Sequence, residues 1–237
     1  MEVNILTEQA LEEIVVEVWG DFACFAMPEA KVERLTYPFP TPSAAKGILS
    51  AIYSKSIEFY WQVKRIEVLN PIRYISFKRN EVKSKASGKS WIFTDEERTQ
   101  RQTVALQDVR YRIAASIIPR PAFEGQERRF YEQARRRVGH GKAFHQPSFG
   151  LREFVAYFEE PSDRAPIDES LDAGLMLYDI FDFPRDITVK KKATPRLALF
   201  HAEMKNGVIQ IPPYDSAQVF KASGPVSDAV LNGGALC

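Results

Sequence analysis

The run Ile14 to Trp19 (IVVEVW) is β-branched and mostly apolar, and it predicts a first strand. The segment that follows, GDFACFAMPEAKVERLTYPFPTP, is rich in Pro and aromatics and reads as a long loop. Thr41-Pro42-Ser43 then opens a helix, with Thr41 or Ser43 as cap and Pro42 in an early helical position. Along AAKGILSAIYS the residues Ala44, Ile48, Ala51 and Ile52 form one stripe, and Tyr53 ends the helix. Ile57 to Ile75 alternates loosely and reads as one or two strands with a break at Asn70-Pro71. Lys78 to Arg101 is a polar, basic excursion with Trp91-Ile92-Phe93 on its return limb. Thr103 to Ile118 predicts a strand with a bulge between Leu106 and the set Val109, Tyr111, Ile113; Pro119 and Pro121 end it. In the helix predicted for Gln126 to Val138, Phe130, Ala134 and Val138 recur at i, i+4, i+8 as a buried stripe. Gly139-His140-Gly141 stops that helix, and Leu151 to Phe158 reads as another strand.

The resulting order is the βαββαβ pattern of a ferredoxin-like (RRM-like) sheet, in the α+β class. Pro161 and Pro166 mark a boundary, so residues 1–160 are expected as one RRM-like (ferredoxin-like) domain. Residues 161–221 are expected as a small antiparallel β domain. Its strands are predicted at Leu175 to Phe181, Arg196 to Met204 and Val208 to Ile211, with Asn206-Gly207 as a hairpin turn. The small, polar residues 222–237 read as a disordered tail.

Length and composition narrow the class. The chain has 237 residues, 45% of them hydrophobic, enough for a substantial core. Two Cys and three His leave no disulfide framework, Cys-rich zinc site or multi-histidine metal centre to build, so no cofactor is expected. No apolar run approaches the ~18 residues of a membrane helix, and the N-terminus lacks the order of a signal peptide. The expected location is the cytoplasm, with no membrane partner. The net charge of +1 conceals an uneven distribution. Eleven basic residues face four acidic ones from Arg101 to Arg152, and one basic residue faces eight acidic ones from Glu159 to Asp182. Ten of those eleven cations are Arg, whose planar fork matches phosphate. Two readings follow: a nucleic-acid surface, or a salt-bridged, solvated helix face.

Four runs, taken in order, carry a further signal: VEVWGDFACF, KVERLTYPFPTPSAAKGILSAIY, IEVLNPIRYISFKRNEV and FHQPSFGLREFVAYF. Together they resemble the CRISPR-associated "Cas-five" family of type I-C systems (subtype d or c), in the RAMP superfamily. The resemblance extends from about Ile14 to Ile211. It implies an RRM-like domain followed by a smaller β-rich one. It also implies binding to the repeat-derived 5′ handle of CRISPR RNA at one end of the Cascade surveillance complex, in antiviral defence. The implied partners are that RNA, the backbone and large Cascade subunits and, within the complex, target DNA. Type I-C members also cut the precursor RNA without a metal, using a Tyr at the end of the first helix and a Lys-His pair at the start of the second. Tyr53 falls at the tyrosine position, and the pair falls on Arg129-Phe130, before Tyr131. Arg keeps the cation, whereas Phe cannot move a proton. Two functions therefore stay open: an endoribonuclease, or a non-catalytic subunit that caps the 5′ handle.

Metal-free RNA cleavage uses the substrate's 2′-OH as nucleophile. It needs a base, a cation for the charge building on phosphate, and an acid for the leaving 5′-oxygen. Tyr53, Arg129 and His140 are the candidate catalytic residues. Lys46, Lys78, Arg79, Arg128, Arg135, Arg136, Lys142 and His145 are the candidate RNA-binding residues. Within GHGKAFHQP, two histidines flank Lys142 in a glycine-bordered loop that is expected either to approach phosphate or to be surface polar sequence. Lys83, Lys85, Lys89 and Lys190 to Lys192 are further cations that could touch RNA. Tyr37, Phe39, Trp91 and Phe149 are candidate stacking platforms. His201, in LALFHAEM, reads as a core-strand histidine.

Overall fold

The computed structural model describes residues 13–30, 33–82, 91, 93, 95, 97–180 and 197–222. The expectations for Lys83, Lys85, Lys89, Lys190 to Lys192 and the tail beyond Ala222 lie outside the described residues.

The first strand, β1 (Ile14–Ala23), continues past Trp19, and a two-residue strand, β2 (Arg34–Leu35), interrupts the expected loop. Helix α1 (Pro42–Ile52) starts as predicted: the Thr41 hydroxyl oxygen accepts from the Ala44 N–H at 3.1 Å, and Pro42 occupies the first turn. Its inward face is Ala45, Ile48, Leu49 and Ile52 rather than the expected stripe through Ala44 and Ala51. Strands β3 (Phe59–Val68) and β4 (Tyr74–Val82) flank the break at Asn70-Pro71. The latter forms a long hairpin with β5 (Arg98–Pro119). Helix α2 (Glu127–Gly139) buries Phe130, Tyr131, Ala134 and Val138, the expected stripe with Tyr131 added.

Strand β6 is shorter than expected, spanning only Tyr157–Glu159. The expected strand from Leu151 gives way to a turn because its apolar residues point inward at spacings of two and three. Phe149, Leu151 and Phe154 are all buried, and the Phe154 N–H donates to the Leu151 carbonyl at 3.0 Å. Gly150 adopts φ +81° there, and a Cβ would collide with the Cys24 carbonyl oxygen. Only glycine fits.

Antiparallel pairings set the spatial order β3-β5-β1-β6. Strand β5 spans the sheet. Its C-terminal half pairs with β3 and its N-terminal half with β4. The bulge expected between Leu106 and Val109 is not found: β1 and β5 keep one register, with Gly20 opposite Val109 and Phe22 opposite Gln107, and Asp108 between them takes φ +52°, its carbonyl accepting from the Asn70 side-chain amide at 2.9 Å. The left-handed backbone at Asp108 moves the inward set from Leu106 to Val109, Tyr111 and Ile113, and the register shift in the β3–β5 ladder falls between Val63 and Arg65.

One face of the sheet carries Val16, Val18, Val63, Ile66, Tyr111 and Ile113, all buried in the core. Helix α2 packs on β1, β5 and β6, while α1 packs on β3 and on β7 (Leu171–Asp179). The alternate face of β1, β3 and β5 holds an ionic lattice. Arg110 and Arg112 both reach the fully buried Glu17, Arg112 also pairs with Glu67 at 2.5 Å, and Arg65 bridges Glu67 and Glu13. The Ser162 N–H and hydroxyl donate to Glu17 at 2.9 and 2.7 Å. These bonds hold the Glu17 carboxyl below its usual range, against burial, which pushes it the other way.

Strands β8 (Ala198–Lys205) and β9 (Val208–Gln210) form the expected hairpin, with Asn206 at φ +48° and Gly207 at φ +75°. Strand β9 pairs with β3, and β10 (Val219–Lys221) pairs with β8, so the sheet is continuous. Among the described residues, no helix is long and apolar enough to cross a membrane.

Candidate active site

Tyr53 is the residue on which α1 ends. Its N–H donates to the Leu49 carbonyl at 2.9 Å, and its own carbonyl accepts from the Trp61 indole at 2.8 Å. The backbone is thereby locked at both sides. The ring lies 5.2 Å from Phe59, which in turn lies 5.1 Å from Phe130. Only 4% of Tyr53 is exposed, yet its hydroxyl has no hydrogen-bond partner among the described residues and is not one of the sealed polar atoms.

Two guanidiniums act on this phenol. Arg137 lies over the ring at 5.5 Å and donates to the Ile52 carbonyl at 3.1 Å, and its buried Nε has no acceptor among the described residues. Arg129 is 60% exposed and is held by Glu58 at 3.1 Å and by the Gln126 side chain at 3.0 Å. Burial, and then the Glu58 charge, push the Tyr53 hydroxyl above its ordinary value, while Arg129 and Arg137 pull it back. The group is thus a protonated donor at neutral pH rather than a phenolate.

One turn further along α2, Arg136, Arg137, His140 and Lys142 surround a cavity of about 680 Å³. His140 caps the helix, with Nδ1 2.7 Å from the Arg136 carbonyl oxygen. A carbonyl can only accept, so Nδ1 carries the proton and Nε2 is the free acceptor of the neutral ring. Arg136 is braced by the Gln133 side chain at 2.8 Å. At about 100° per residue, Arg128 and Arg135 fall on one flank of α2, Arg129 and Arg136 point away from the buried stripe, and Arg137 falls on the other flank. Arg128 pairs with Glu132 at 2.8 Å, and Arg135 borders a separate cavity with Glu13 and Glu160. The arginines of α2 therefore do not make a single ridge.

Other candidates lie apart. The Lys46 ammonium is nearly buried and paired with Asp179, tying α1 to β7. Burial draws its pKa down, and the Asp179 charge opposes that. The expected RNA contact at Lys46 is corrected to a structural ion pair. Arg79 is pinned in the same way, by Glu153 and by the Phe77 and Phe154 rings at 4.8 and 5.4 Å. Lys78 is exposed on β4. His145 is exposed, and its N–H donates to the Ala51 carbonyl at 3.0 Å. Tyr37, Phe39 and Phe149 are core residues and cannot stack on a base, whereas Trp91 is 93% exposed. His201 points outward, 3.2 Å from Asp172, because its odd position on β8 opposes the buried Phe200 and Ala202.

Arg137 and Glu58 join the site without standing out in the sequence. A signal for Arg137 is nonetheless present: Arg129, Gln133 and Arg137 repeat the i, i+4, i+8 spacing of the buried stripe, one residue earlier. Among the described residues, no three His, Cys, Asp or Glu side chains gather into a group suited to a metal ion.

A family model described as CRISPR-associated protein (Cas_Cas5), of the Cas5d type, matches residues 13–212. A protein of Thermus thermophilus named CRISPR pre-crRNA endoribonuclease Cas5d is 36% identical over 224 residues, covering 89% of this chain and 96% of that protein. A protein of the same name from Mannheimia succiniciproducens is 39% identical over 229 residues, covering 87% and 97%. Among solved structures, a CRISPR-associated protein superposes with a TM-score of 0.62 at 21% identity, over 88% of this chain and 96% of that one. Protein SMU1763c of Streptococcus mutans, functionally uncharacterized, does so at 0.61 and 19%, with the same coverage. These two structures share the α+β fold with its large antiparallel sheet.

Proposed function

Because the chain belongs to the CRISPR-associated Cas5 family, in its Cas5d branch, we propose that it is the endoribonuclease that cuts precursor CRISPR RNA and then stays on the 5′ handle as a Cascade subunit. The strand order β3-β5-β1-β6 with two helices supports reading residues 13–160 as a ferredoxin-like RNA-binding unit, with residues 161–221 as appended strands. The backbone and large Cascade subunits, and target DNA within the complex, are the further partners of this reading.

One observation carries the chemistry: a protonated phenol at a helix end, flanked by Arg129 and Arg137, beside a cavity lined by His140 and Lys142. In the proposed reaction the substrate's 2′-oxygen attacks the adjacent phosphorus. The O2′–P bond forms as the P–O5′ bond breaks. His140 Nε2 takes the 2′ proton, and the Tyr53 hydroxyl gives its own proton to the leaving 5′-oxygen, which departs as a hydroxyl; after product release the proton on His140 passes to solvent and the Tyr53 phenolate takes one back from it. Arg129 and Arg137 stabilise the charge that builds on the phosphoryl oxygens. The products are a 2′,3′-cyclic phosphate and a 5′-hydroxyl, with no metal in the balance.

The second reading, a handle-capping subunit that does not cut, is favoured by Phe130. This residue is fully buried against Phe59 and moves no proton at the position where the family has its histidine. Incubating the purified protein with end-labelled repeat RNA in EDTA separates the two. A single product ending in a 2′,3′-cyclic phosphate is expected. Tight binding without product would leave only the capping role.

A further inference from the structure

The cationic cavity has a neighbour that the cleavage chemistry does not use. Residues 140–143 line the first cavity, and the chain then runs directly along a second, an open groove of about 570 Å³. Gly47, Ser50 and Ser54 of the α1 side form one wall, and Phe144, His145 and Arg152 lie on the other. The volume falls within the ~300–1,000 Å³ typical of small-ligand pockets.

Two features set this groove apart from a packing defect. First, Phe144 is 67% exposed, and its ring lies 4.3 Å from that of His145, which is exposed as well. Their backbone N–H groups donate to the same acceptor, the Ala51 carbonyl, at 2.8 and 3.0 Å. A large apolar ring is thus held out of the core by a rigid backbone clamp, next to hydroxyls able to address a polar edge. Second, the groove and the cationic cavity meet at the last turn of α1. The Ala51 carbonyl anchors the groove wall, the Ile52 carbonyl anchors Arg137 of the cationic cavity, and Tyr53 follows. A place for a flat ring and a place for phosphate therefore stand one residue apart beside the reacting phenol.

We infer that this groove is a base-binding subsite: one unpaired nucleobase of the RNA stacks on the Phe144 ring, which His145 meets edge-on, and lies along the Gly47 wall while its backbone phosphate occupies the Arg136–Arg137–Lys142 cavity. The inference rests on the ribonuclease reading above. Stacking of this kind accepts any base face, so the subsite fixes the position of the strand more than its sequence. It supplies the register that places one particular phosphate at Tyr53.

Gly47 makes the test clean. A Cβ added there meets nothing within 4 Å, so Gly47→Leu fills the groove without disturbing the helix. Phe144→Ala removes the platform. The experiment measures affinity for repeat RNA in EDTA, with the bases replaced one at a time by abasic sites, and thermal midpoints monitor folding. Gly47→Leu is expected to raise the midpoint, since it removes an exposed glycine from the middle of α1, and Phe144→Ala to keep it; both should bind intact RNA at least about tenfold more weakly, the effect of losing one stacked base. At one abasic position the wild type should weaken to the same extent, and neither variant should weaken further. If the wild type binds intact RNA and no position shows this coupling, the subsite is overturned while the ribonuclease reading stands. If the wild type shows no affinity for repeat RNA, both fall.

Discussion

At the residue scale, the site depends on how one phenol is held. The Tyr53 ring is buried on Phe59 while its hydroxyl has no partner among the described residues, so the hydroxyl can be removed without disturbing the packing. Tyr53→Phe is expected to lower the cleavage rate by ~10²-fold or more, the usual loss for a proton-handling group, with an unchanged thermal midpoint. Single-turnover cleavage in EDTA measures this, and a wild-type rate would remove Tyr53 from the chemistry. The same scale shows what the sequence concealed. Lys46 and Arg79 look like free cations in a linear reading, but their partners Asp179 and Glu153 lie 133 and 74 positions away. Tyr37, Phe39 and Phe149 look like stacking rings because aromatic residue type says nothing about which face of the sheet a loop covers. Local spacing did place Tyr53 at the end of α1, because a helix cap is a local feature, while its candidacy for the chemistry came from the resemblance to the Cas-five family.

At the element scale, the parity shift in β5 did not mean an inserted residue, since its ladder with β1 keeps one register; α1 was legible from its cap and α2 from its stripe. The region from Phe149 to Phe158 was not, since its folding is set by one close approach between distant segments. Gly150 presses on the Cys24 carbonyl and holds a left-handed conformation. Gly150→Ala is therefore expected to destabilise the protein by more than ~2 kcal/mol, through steric conflict and backbone strain together. Urea denaturation followed by far-UV circular dichroism checks this, and a shift within experimental error would mean that the turn relaxes freely.

At the scale of the whole molecule, near-neutral net charge coexists with a localised cationic cavity. The logarithm of the affinity for RNA should fall linearly with the logarithm of the salt concentration. Replacing both Arg136 and Lys142 by Ala should reduce the slope by ~1.4, about 0.7 for each single-strand phosphate that is no longer neutralised. An unchanged slope, measured by fluorescence anisotropy, would locate the RNA backbone elsewhere. Protonation of the core sets a second global property. Burial pushes Tyr37 and Tyr178 up to about 12, and Cys24 up to about 11, from ordinary values of 10.0 and 9.0. Groups raised in the folded state ionise first in the unfolded chain. Their contribution is complete below pH 9.0 and is lost between there and about 12. The urea midpoint should fall across that window as tyrosinate absorbance appears together with unfolding. Tyrosinate forming near pH 10 in the still-folded protein would contradict it.

The last turn of α1 has a mechanical meaning of its own. Three successive residues each close a separate contact: Ala51 with the Phe144 clamp, Ile52 with Arg137, Tyr53 with Trp61. Adding or removing a single residue upstream in the helix would turn this end by 100° and move all three out of alignment at once. The helix thus works as an indexing pin, and evolutionary changes in its length are tolerable only as whole turns.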